Sequence, residues 1–117
     1  MSNVTAREIM NLAAEEFGVL VVEMIGRWCG TKGREEASST LARNTAVYLI
    51  RRHTRSGPAE IARLLGLPPD AARIARMAAD TTKRMRTPDF LPRVARIEDR
   101  IDALHEGRVA RMLEAAE

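Results

Sequence analysis

The sequence is short of the residues on which several classes of protein depend. Its one cysteine, Cys29, cannot form an internal disulfide, and its two histidines, His53 and His105, belong to no cluster with metal-ligand spacing. No apolar run approaches the roughly 20 residues that span a bilayer. Arg7 and Glu8 interrupt any apolar signal peptide at the start. We therefore expect a cytoplasmic protein that has no cofactor, no bound metal and no membrane partner.

Aromatic residues are also scarce, at 3% of the chain. The core must therefore be built from aliphatic side chains and methionine. Alanine, arginine, leucine and glutamate are abundant, which favours helix, and 117 residues suit a single core. The composition predicts an all-α fold, a compact bundle of about six helices that contains a helix-turn-helix. We expect one domain over residues 1–106 and a C-terminal tail over 107–117.

Capping and breaking residues divide the first half of the chain into helices. Thr5 and Glu8 have the spacing of a capping box at the start of a first helix, and Gly18 is placed to end it. The apolar segment Val19–Trp28 predicts a second helix, and a third is predicted from Arg34 to His53. The expected inner face of this third helix consists of Ala37, Leu41, Thr45, Tyr48 and Leu49.

The stretch from Pro58 to Met85 predicts a helix-turn-helix. Its first residue suits the first turn of a short helix, and Gly66 suits the left-handed end of that helix. Pro68 and Pro69 then open a second helix, with Asp70 in its first turn. One face of the second helix is apolar, with Ala71, Ile74, Met77, Ala78, Thr81 and Met85. The opposite face carries Arg73, Arg76, Asp80, Lys83 and Arg84.

Positive charge is concentrated around this motif. Between residues 37 and 96 there are twelve basic residues and four acidic ones, whereas acidic residues are in excess on either side. The window 37–59 has no acidic residue and holds Arg43, Arg51, Arg52 and Arg55. Such a distribution attracts a phosphate backbone. The alternative interpretation is a helical surface of solvated arginines.

The position of each basic residue predicts a role on DNA. Arg73 and Arg76, near the start of the recognition helix, can pair with guanine O6 and N7 and are expected to read bases. His53 is expected either to assist a phosphate contact or to be exposed. Phosphate contacts are expected from Lys32, Arg51, Arg52, Arg55, Lys83 and Arg84.

A final helix is predicted after the break at Thr87–Asp89, and Gly107 is expected to interrupt it. It carries an apolar stripe of Phe90, Val94, Ile97, Ile101 and Leu104. The helix either closes the bundle or pairs with a second copy or another protein. The homodimer surface would consist of Val94, Ile97, Ile101 and Leu104.

Four segments of the chain can be compared with a known family. They are AAEEFGV (13–19), VVEMIGR (21–27), LARNTAVYLIRRHT (41–54) and SGPAEIARLLG (56–66). In this order they resemble the C-terminal DNA-binding domain of DnaA, the bacterial replication initiator, whose helix-turn-helix is related to that of the Trp repressor. The resemblance covers roughly Ile9 to Ile101. Family members insert an arginine at the position matching Arg43 into the minor groove, so the resemblance implies that role for Arg43.

The chain departs from the family where DNA sequence is read. The family carries a Gly-Arg-Asp-His-Ser/Thr-Thr-Val type of run after the turn, whereas residues 66–74 read GLPPDAARI. We therefore do not expect it to recognise the initiator's box, and its 117 residues hold no ATPase module. The arrangement also resembles the DnaA-like module of alphaproteobacterial activators of gene transfer agents.

These features together predict a sequence-specific transcription regulator that binds double-stranded DNA. We expect an activator, associated with the nucleoid, whose partners include RNA polymerase or another DNA-bound protein. An enzyme is not expected. The alternative function is a phage-type DNA-packaging module or a polymerase adaptor that binds DNA weakly and without sequence preference.

Overall fold

Five α-helices and one short 3-10 turn form the described part of the chain. The computed structural model describes the backbone of residues 3–26 and 33–116, and the side chains of 3–26 and 38–116. These ranges contain no strand, so the predicted all-α helical bundle is confirmed, with five α-helices in the described residues instead of about six. The α-helices are α1 (Ala6–Phe17), α2 (Gly33–His53), α3 (Pro58–Leu64), α4 (Ala71–Arg84) and α5 (Leu91–Ala116), and the 3-10 turn is Val21–Met24.

Helix α1 begins and ends at the predicted residues. The Thr5 hydroxyl accepts the Glu8 N–H at 3.2 Å, and the Glu8 carboxylate accepts the Thr5 N–H at 3.0 Å, which completes the capping box. At the other end Gly18 has φ +67°, and the Val19 N–H donates to the Ala14 carbonyl at 3.0 Å. This is a Schellman ending, in which a left-handed glycine satisfies the last carbonyls of the helix.

The predicted second helix over Val19–Trp28 is wrong. The chain instead forms the 3-10 turn Val21–Met24, and the following Ile25 is extended, with φ −103° and ψ 129°. β-branched side chains lose rotamer freedom in a helix, and the four between residues 19 and 28 disfavour a helix there. Nor does the segment pack on both sides, because the Leu20 side chain is 66% exposed. Residues 27 and 28 lie outside the described residues.

Helix α2 is the centre of the bundle. It packs against α1 on one side and α4 on another, and all four side chains from 44 to 47 are buried. Four successive buried positions cover the whole circumference of a helix, so the prediction of a single inner face was wrong. Of the residues predicted for that face, Thr45 and Leu49 are buried, Leu41 and Tyr48 are half-buried, and the side chain of Ala37 is outside the described ones.

Helix α5 closes the bundle by packing along α1. Its predicted stripe is buried at Phe90, Val94, Ile97 and Ile101 and half-buried at Leu104. Because these side chains already belong to the core of their own chain, they are not available to a second copy. The predicted homodimer surface of Val94, Ile97, Ile101 and Leu104 is therefore wrong.

The predicted interruption of the last helix at Gly107 is also wrong, since α5 continues to Ala116. One glycine costs a helix about 1 kcal/mol, less than the tertiary contacts on either side of it can supply. Immediately after it, Arg108 is bound to α1. Beyond that point the helix leaves the core, because Met112 and Leu113 are 69% and 63% exposed.

Ion pairs between α1 and α5 set the antiparallel arrangement of the two helices. Arg96 donates from Nε and Nη2 to the two carboxylate oxygens of Glu16, both at 2.9 Å. Exposed pairs of this kind contribute little stability each, but their order along both helices fixes one register. The pairs are Glu16 with both Arg93 and Arg96, Glu15 with Arg100 and Glu8 with Arg108.

The carboxylate of Glu8 is the one most strongly held. Hydrogen bonds from the Arg108 side chain and then from the Thr5 backbone N–H lower the pKa of Glu8 from 4.5 to about 2. The same carboxylate caps α1 and fastens α5. Its protonation therefore weakens two helices at once.

We predict that Glu8→Gln lowers the free energy of unfolding by about 1 kcal/mol at neutral pH, because it removes the charge from both interactions. In the unfolded chain the carboxyl takes up a proton near pH 4.5, whereas in the folded chain it stays ionised down to about pH 2. Acid between pH 4.5 and about pH 2 thus favours the unfolded wild type. The difference in free energy of unfolding between wild type and Glu8→Gln should therefore disappear. Urea unfolding across the pH range measures it, with the exposed Glu114→Gln as control. A difference that persisted at pH 2 would contradict the role of the carboxylate.

Two hydroxyls in the core lack a hydrogen-bond partner among the described residues. They are Thr45 Oγ1 on α2 and Thr81 Oγ1 on α4, both in fully buried residues. A buried hydroxyl without a partner costs about 1–3 kcal/mol, because it has given up its hydrogen bonds to water. Thr45 and Thr81 thus lie on α2 and α4, the two helices that carry most of the residues predicted to contact DNA.

Replacing one of these hydroxyls by a methyl group should therefore stabilise the protein. We predict that Thr81→Val raises the free energy of unfolding by about 1 kcal/mol, since the shape is kept and the desolvation cost is removed. Thr82→Val is the matched control, because the Thr82 hydroxyl donates to the Ala78 carbonyl at 3.2 Å. Thermal and urea unfolding of the two variants provide the comparison. Destabilisation by Thr81→Val would mean that its hydroxyl makes a hydrogen bond in solution.

Candidate nucleic-acid interface

Helices α3 and α4 form the predicted helix-turn-helix, joined by residues 65–70. Pro58 occupies the first turn of α3, as predicted. At its end Gly66 has φ +65°, and the Leu67 N–H donates to the Ala62 carbonyl at 2.8 Å. The same Schellman ending that closes α1 thus turns the chain from α3 toward α4.

Helix α4 begins at Ala71, later than predicted. Asp70 is its N-cap, and the Asp70 carboxylate accepts the N–H of Arg73 at 3.1 Å. The prediction that Pro68 and Pro69 occupy the first helical turn was wrong. The capping side chain must precede the helix, so both prolines belong to the turn. Arg73 is consequently the third residue of α4.

The turn is held against the segment that leads into α2. The Gly26 N–H donates to the Leu65 carbonyl at 2.6 Å. A Cβ added at Gly66 would lie 3.1 Å from Cγ2 of Ile25, so only glycine fits without displacing that side chain. This contact fixes the chain just before residues 27–32. Lys32, a predicted phosphate contact, lies in that segment, outside the described residues.

The outer face of α4 carries basic residues separated by small ones. Arg76, Lys83 and Arg84 are exposed and Arg73 is half-buried. Within the described ranges, Arg73, Arg76 and Lys83 have no ion pair. Exposed alanines alternate with them at Ala72, Ala75 and Ala79. The opposite face is buried at Ile74, Met77, Ala78 and Thr81 and half-buried at Met85, whereas Ala71, predicted for that face, is exposed.

A chain of hydrogen bonds connects Arg43 to this face of α4. Arg43 donates from Nε and Nη2 to Oδ1 of Asn44 at 3.2 and 3.1 Å. Asn44 in turn donates from Nδ2 to Oδ2 of Asp80 at 3.0 Å, and Arg84 Nε donates to the same oxygen at 2.9 Å. The fold thus links Arg43 of α2 to Arg84 of α4 through Asn44 and the Asp80 carboxylate.

Neither Asn44 nor its bond to Asp80 was predicted from the sequence. The only signal was an acidic residue on an otherwise basic helix face, with Arg84 four residues later. Partial burial raises the pKa of Asp80, but hydrogen bonds from Arg84 and Asn44 outweigh it and hold the pKa below its ordinary value. Asp80 is therefore charged at neutral pH, and it offsets part of the positive charge around it.

The arginines at the end of α2 divide into two groups. Arg51 and Arg55 are exposed and have no ion pair with the described residues. Arg52 Nε lies 3.4 Å from the Glu98 carboxylate of α5, and His53 Nε2 lies 3.2 Å from the same oxygen. The expectation that His53 is exposed is wrong, because its side chain is only 14% exposed. Glu98 thus draws Arg52 and His53 toward α5.

A separate groove lies between the start of α1, the 3-10 turn and α3. Its volume is about 640 Å³. Apolar side chains at Met10, Val21, Ile25 and Leu64 line it together with polar side chains at Arg7, Asn11, Glu60 and Arg63. The three charged members of this set have no ion pair in the described part of the chain.

Two further properties concern the described residues alone. They contain no group of three or more His, Cys, Asp or Glu side chains that could hold a metal ion. No helix among them is long and apolar enough to cross a membrane.

Comparison with known proteins places the chain in no family. No protein-family model matches it, and no curated protein sequence is significantly similar to it. Its function is therefore inferred from its own geometry and charge.

The tight packing of the turn gives a prediction with an internal control. Gly66→Ala and Gly18→Ala both place an alanine at φ near +65°, a strain of about 1 kcal/mol. Only at position 66 does the new Cβ approach another side chain, Ile25, whereas nothing lies within 4 Å at position 18. Urea unfolding should show a loss of about 1 kcal/mol for Gly18→Ala and about 2 kcal/mol for Gly66→Ala. Equal losses would contradict the close contact between the turn and Ile25.

Proposed function

We propose that this protein is a sequence-specific, double-stranded-DNA-binding transcription regulator, and specifically an activator. The observation that carries the proposal is the outer face of α4, where arginines without ion-pair partners in the described ranges alternate with alanines. In helix-turn-helix proteins the second helix enters the major groove. Small residues between the arginines allow the backbone of α4 to approach base edges closely.

Arg73 and Arg76 are the proposed base readers. Arg73 lies in the first turn of α4 and Arg76 one turn later, which is the part of a recognition helix that contacts bases. Guanine presents O6 and N7 as a pair of acceptors to such an arginine. The proposed phosphate contacts are Lys32, Arg51, Arg52, Arg55, Lys83 and Arg84.

Arg43 is the proposed minor-groove residue. It lies on α2, next to the recognition helix, and is tied to that helix through Asn44 and Asp80. A narrow minor groove has enhanced negative potential, which attracts an arginine inserted beside the major-groove contact. The resemblance to DnaA implies the same role.

A DnaA-like origin is part of the proposal. The segments that resemble DnaA fall on α1, the 3-10 turn, α2 and α3, whereas the differing residues 66–74 form the turn and the start of α4. The resemblance thus concerns the scaffold, and the difference concerns the elements that would read bases. We propose that the protein reads a sequence other than the initiator's box, as a regulator similar to the DnaA-like module of alphaproteobacterial gene transfer agent activators. It would act in the cytoplasm, on the nucleoid, without catalytic activity.

A second candidate function is favoured by the groove between α1 and α3. An apolar lining with Arg7, Glu60 and Arg63 among its polar side chains suits contact with another protein. In a DNA-packaging module or a polymerase adaptor this groove would be the main interface, and DNA binding would be weak and without sequence preference. In an activator the groove would hold RNA polymerase or another DNA-bound protein while α4 holds DNA.

Selection from random-sequence duplexes, followed by footprinting, separates the two functions. A regulator enriches one motif and protects it, and genome-wide pull-down recovers discrete promoter sites. An adaptor enriches no motif. Absence of an enriched motif in the selection, together with diffuse recovery from the genome, would contradict the proposal that the protein is a regulator.

Single substitutions on the selected motif test the roles of the arginines. We predict that Arg73→Ala weakens binding to the motif by about 1–3 kcal/mol and relaxes preference at one base position. Lys83→Ala should instead weaken binding to all sequences alike and reduce the salt dependence by about one phosphate contact. Arg111→Ala, an equal loss of charge on the exposed end of α5, is the control and should have little effect. If Arg73→Ala weakened motif and random DNA equally, Arg73 would not read a base.

A further inference from the structure

We propose that Asp80 is a positioning residue for DNA recognition. Through Asn44 it holds the minor-groove arginine Arg43 at a fixed place relative to α4, so that α2 and α4 read one site together. The inference rests on the proposed function and adds to it the device that couples the two groups of readers.

Asn44 is only 6% exposed. Its two amide atoms have different partners: Oδ1 accepts from Arg43, and Nδ2 donates to Asp80. An arginine can only donate and an ionised carboxylate can only accept, so the amide has one satisfactory orientation. A buried amide fixed in this way transmits the position of Asp80 to Arg43.

Asp80 places a carboxylate on an otherwise basic face of α4. Asp80 is the only acidic residue of α4, and a phosphate backbone approaching the outer face would be repelled by it. Arg84 and Asn44 both donate to its Oδ2, which fixes the carboxylate from α4 and α2 at once. The charge of Asp80 disfavours DNA binding. Its role in orienting Asn44 and Arg43 explains why a carboxylate lies on this face.

Arg43 is oriented by the same hydrogen bonds. Its side chain is long and has several rotamers, and ordering it only on DNA would weaken binding. Two of its donors are held by Asn44, and its remaining N–H groups can reach a ligand. Arg43 is thereby oriented before DNA arrives, and the gain is specific to sites that suit that orientation.

Two substitutions at one position separate this role from a simple effect of charge. Asp80→Ala and Asp80→Asn remove the same negative charge, so both should bind random DNA more tightly. The amide oxygen of the asparagine variant can still accept from Asn44 and Arg84, whereas alanine offers no acceptor. We expect Asp80→Asn to keep the wild-type ratio of affinities for the selected motif and random DNA, and Asp80→Ala to lower that ratio about fivefold or more.

An exchange of the two side chains tests the pair without any change of net charge. In Asn44→Asp/Asp80→Asn, the carboxylate introduced at 44 accepts from Arg43 and from the amide introduced at 80. The exchange should therefore keep the preference, whereas Asn44→Ala should lose it. Asn44→Asp alone places two carboxylates together and should also lose it. If Asp80→Ala fails to fold, as circular dichroism and the unfolding midpoint would reveal, this series decides the question.

The outcomes separate the inference from the function beneath it. If the wild type shows no preference for any duplex, the proposed function fails, and this inference fails with it. If the wild type has a preference but folded Asp80→Ala and Asp80→Asn retain it equally, Asp80 acts through its charge alone and only the positioning role is overturned. Loss of preference in the exchange variant as well as in Asn44→Ala would overturn it too.

Discussion

The enclosure of α2 between α1 and α4 is the constraint on which the rest of the structure depends. Four successive buried side chains from 44 to 47 leave this helix almost no surface in its middle. Among the described side chains, Arg43 emerges beside α4, Arg51 and Arg52 in the last turn of α2, and Arg55 two residues after that helix. Packing of the core thus decides where positive charge reaches solvent, and it places that charge next to the helix-turn-helix.

The acidic residues are distributed by the same packing. Those of α1 are taken up by α5, through Glu8, Glu15 and Glu16, and Glu98 faces Arg52 and His53 at the end of α2. The outer face of α4 is left with one carboxylate. A small net charge of +3 therefore coexists with a strongly basic surface, because cancellation takes place elsewhere on the molecule.

The sequence predicts well those features that local chemistry determines. The capping box of Thr5 and Glu8, the left-handed endings at Gly18 and Gly66, and the two faces of α4 each depend on residues within a few positions of one another. One failure was local, because the Asp70 cap places Pro68 and Pro69 before α4. Other failures concern long-range effects. A helix was predicted across 19–28, where exposure of Leu20 and the bond from Gly26 to Leu65 accompany a different conformation. The contact of Glu98 with His53 and the bond from Asn44 to Asp80 join residues 36 or more positions apart. Sequence periodicity does not reveal such contacts.

The start of α4 bears on the proposed function, because it sets the position of Arg73. The capping carboxylate of Asp70 fixes Arg73 as the third residue of α4, and the two prolines before it restrict the backbone that leads there. A prolyl turn loses less entropy on folding than a flexible one, so the entry angle of α4 is set within the scaffold. Arg43 is positioned from α2, through the hydrogen bonds of Asn44 and Asp80. The two proposed readers are thus positioned by independent devices that meet on α4, which is the arrangement required if their spacing, rather than their charge, selects a DNA sequence.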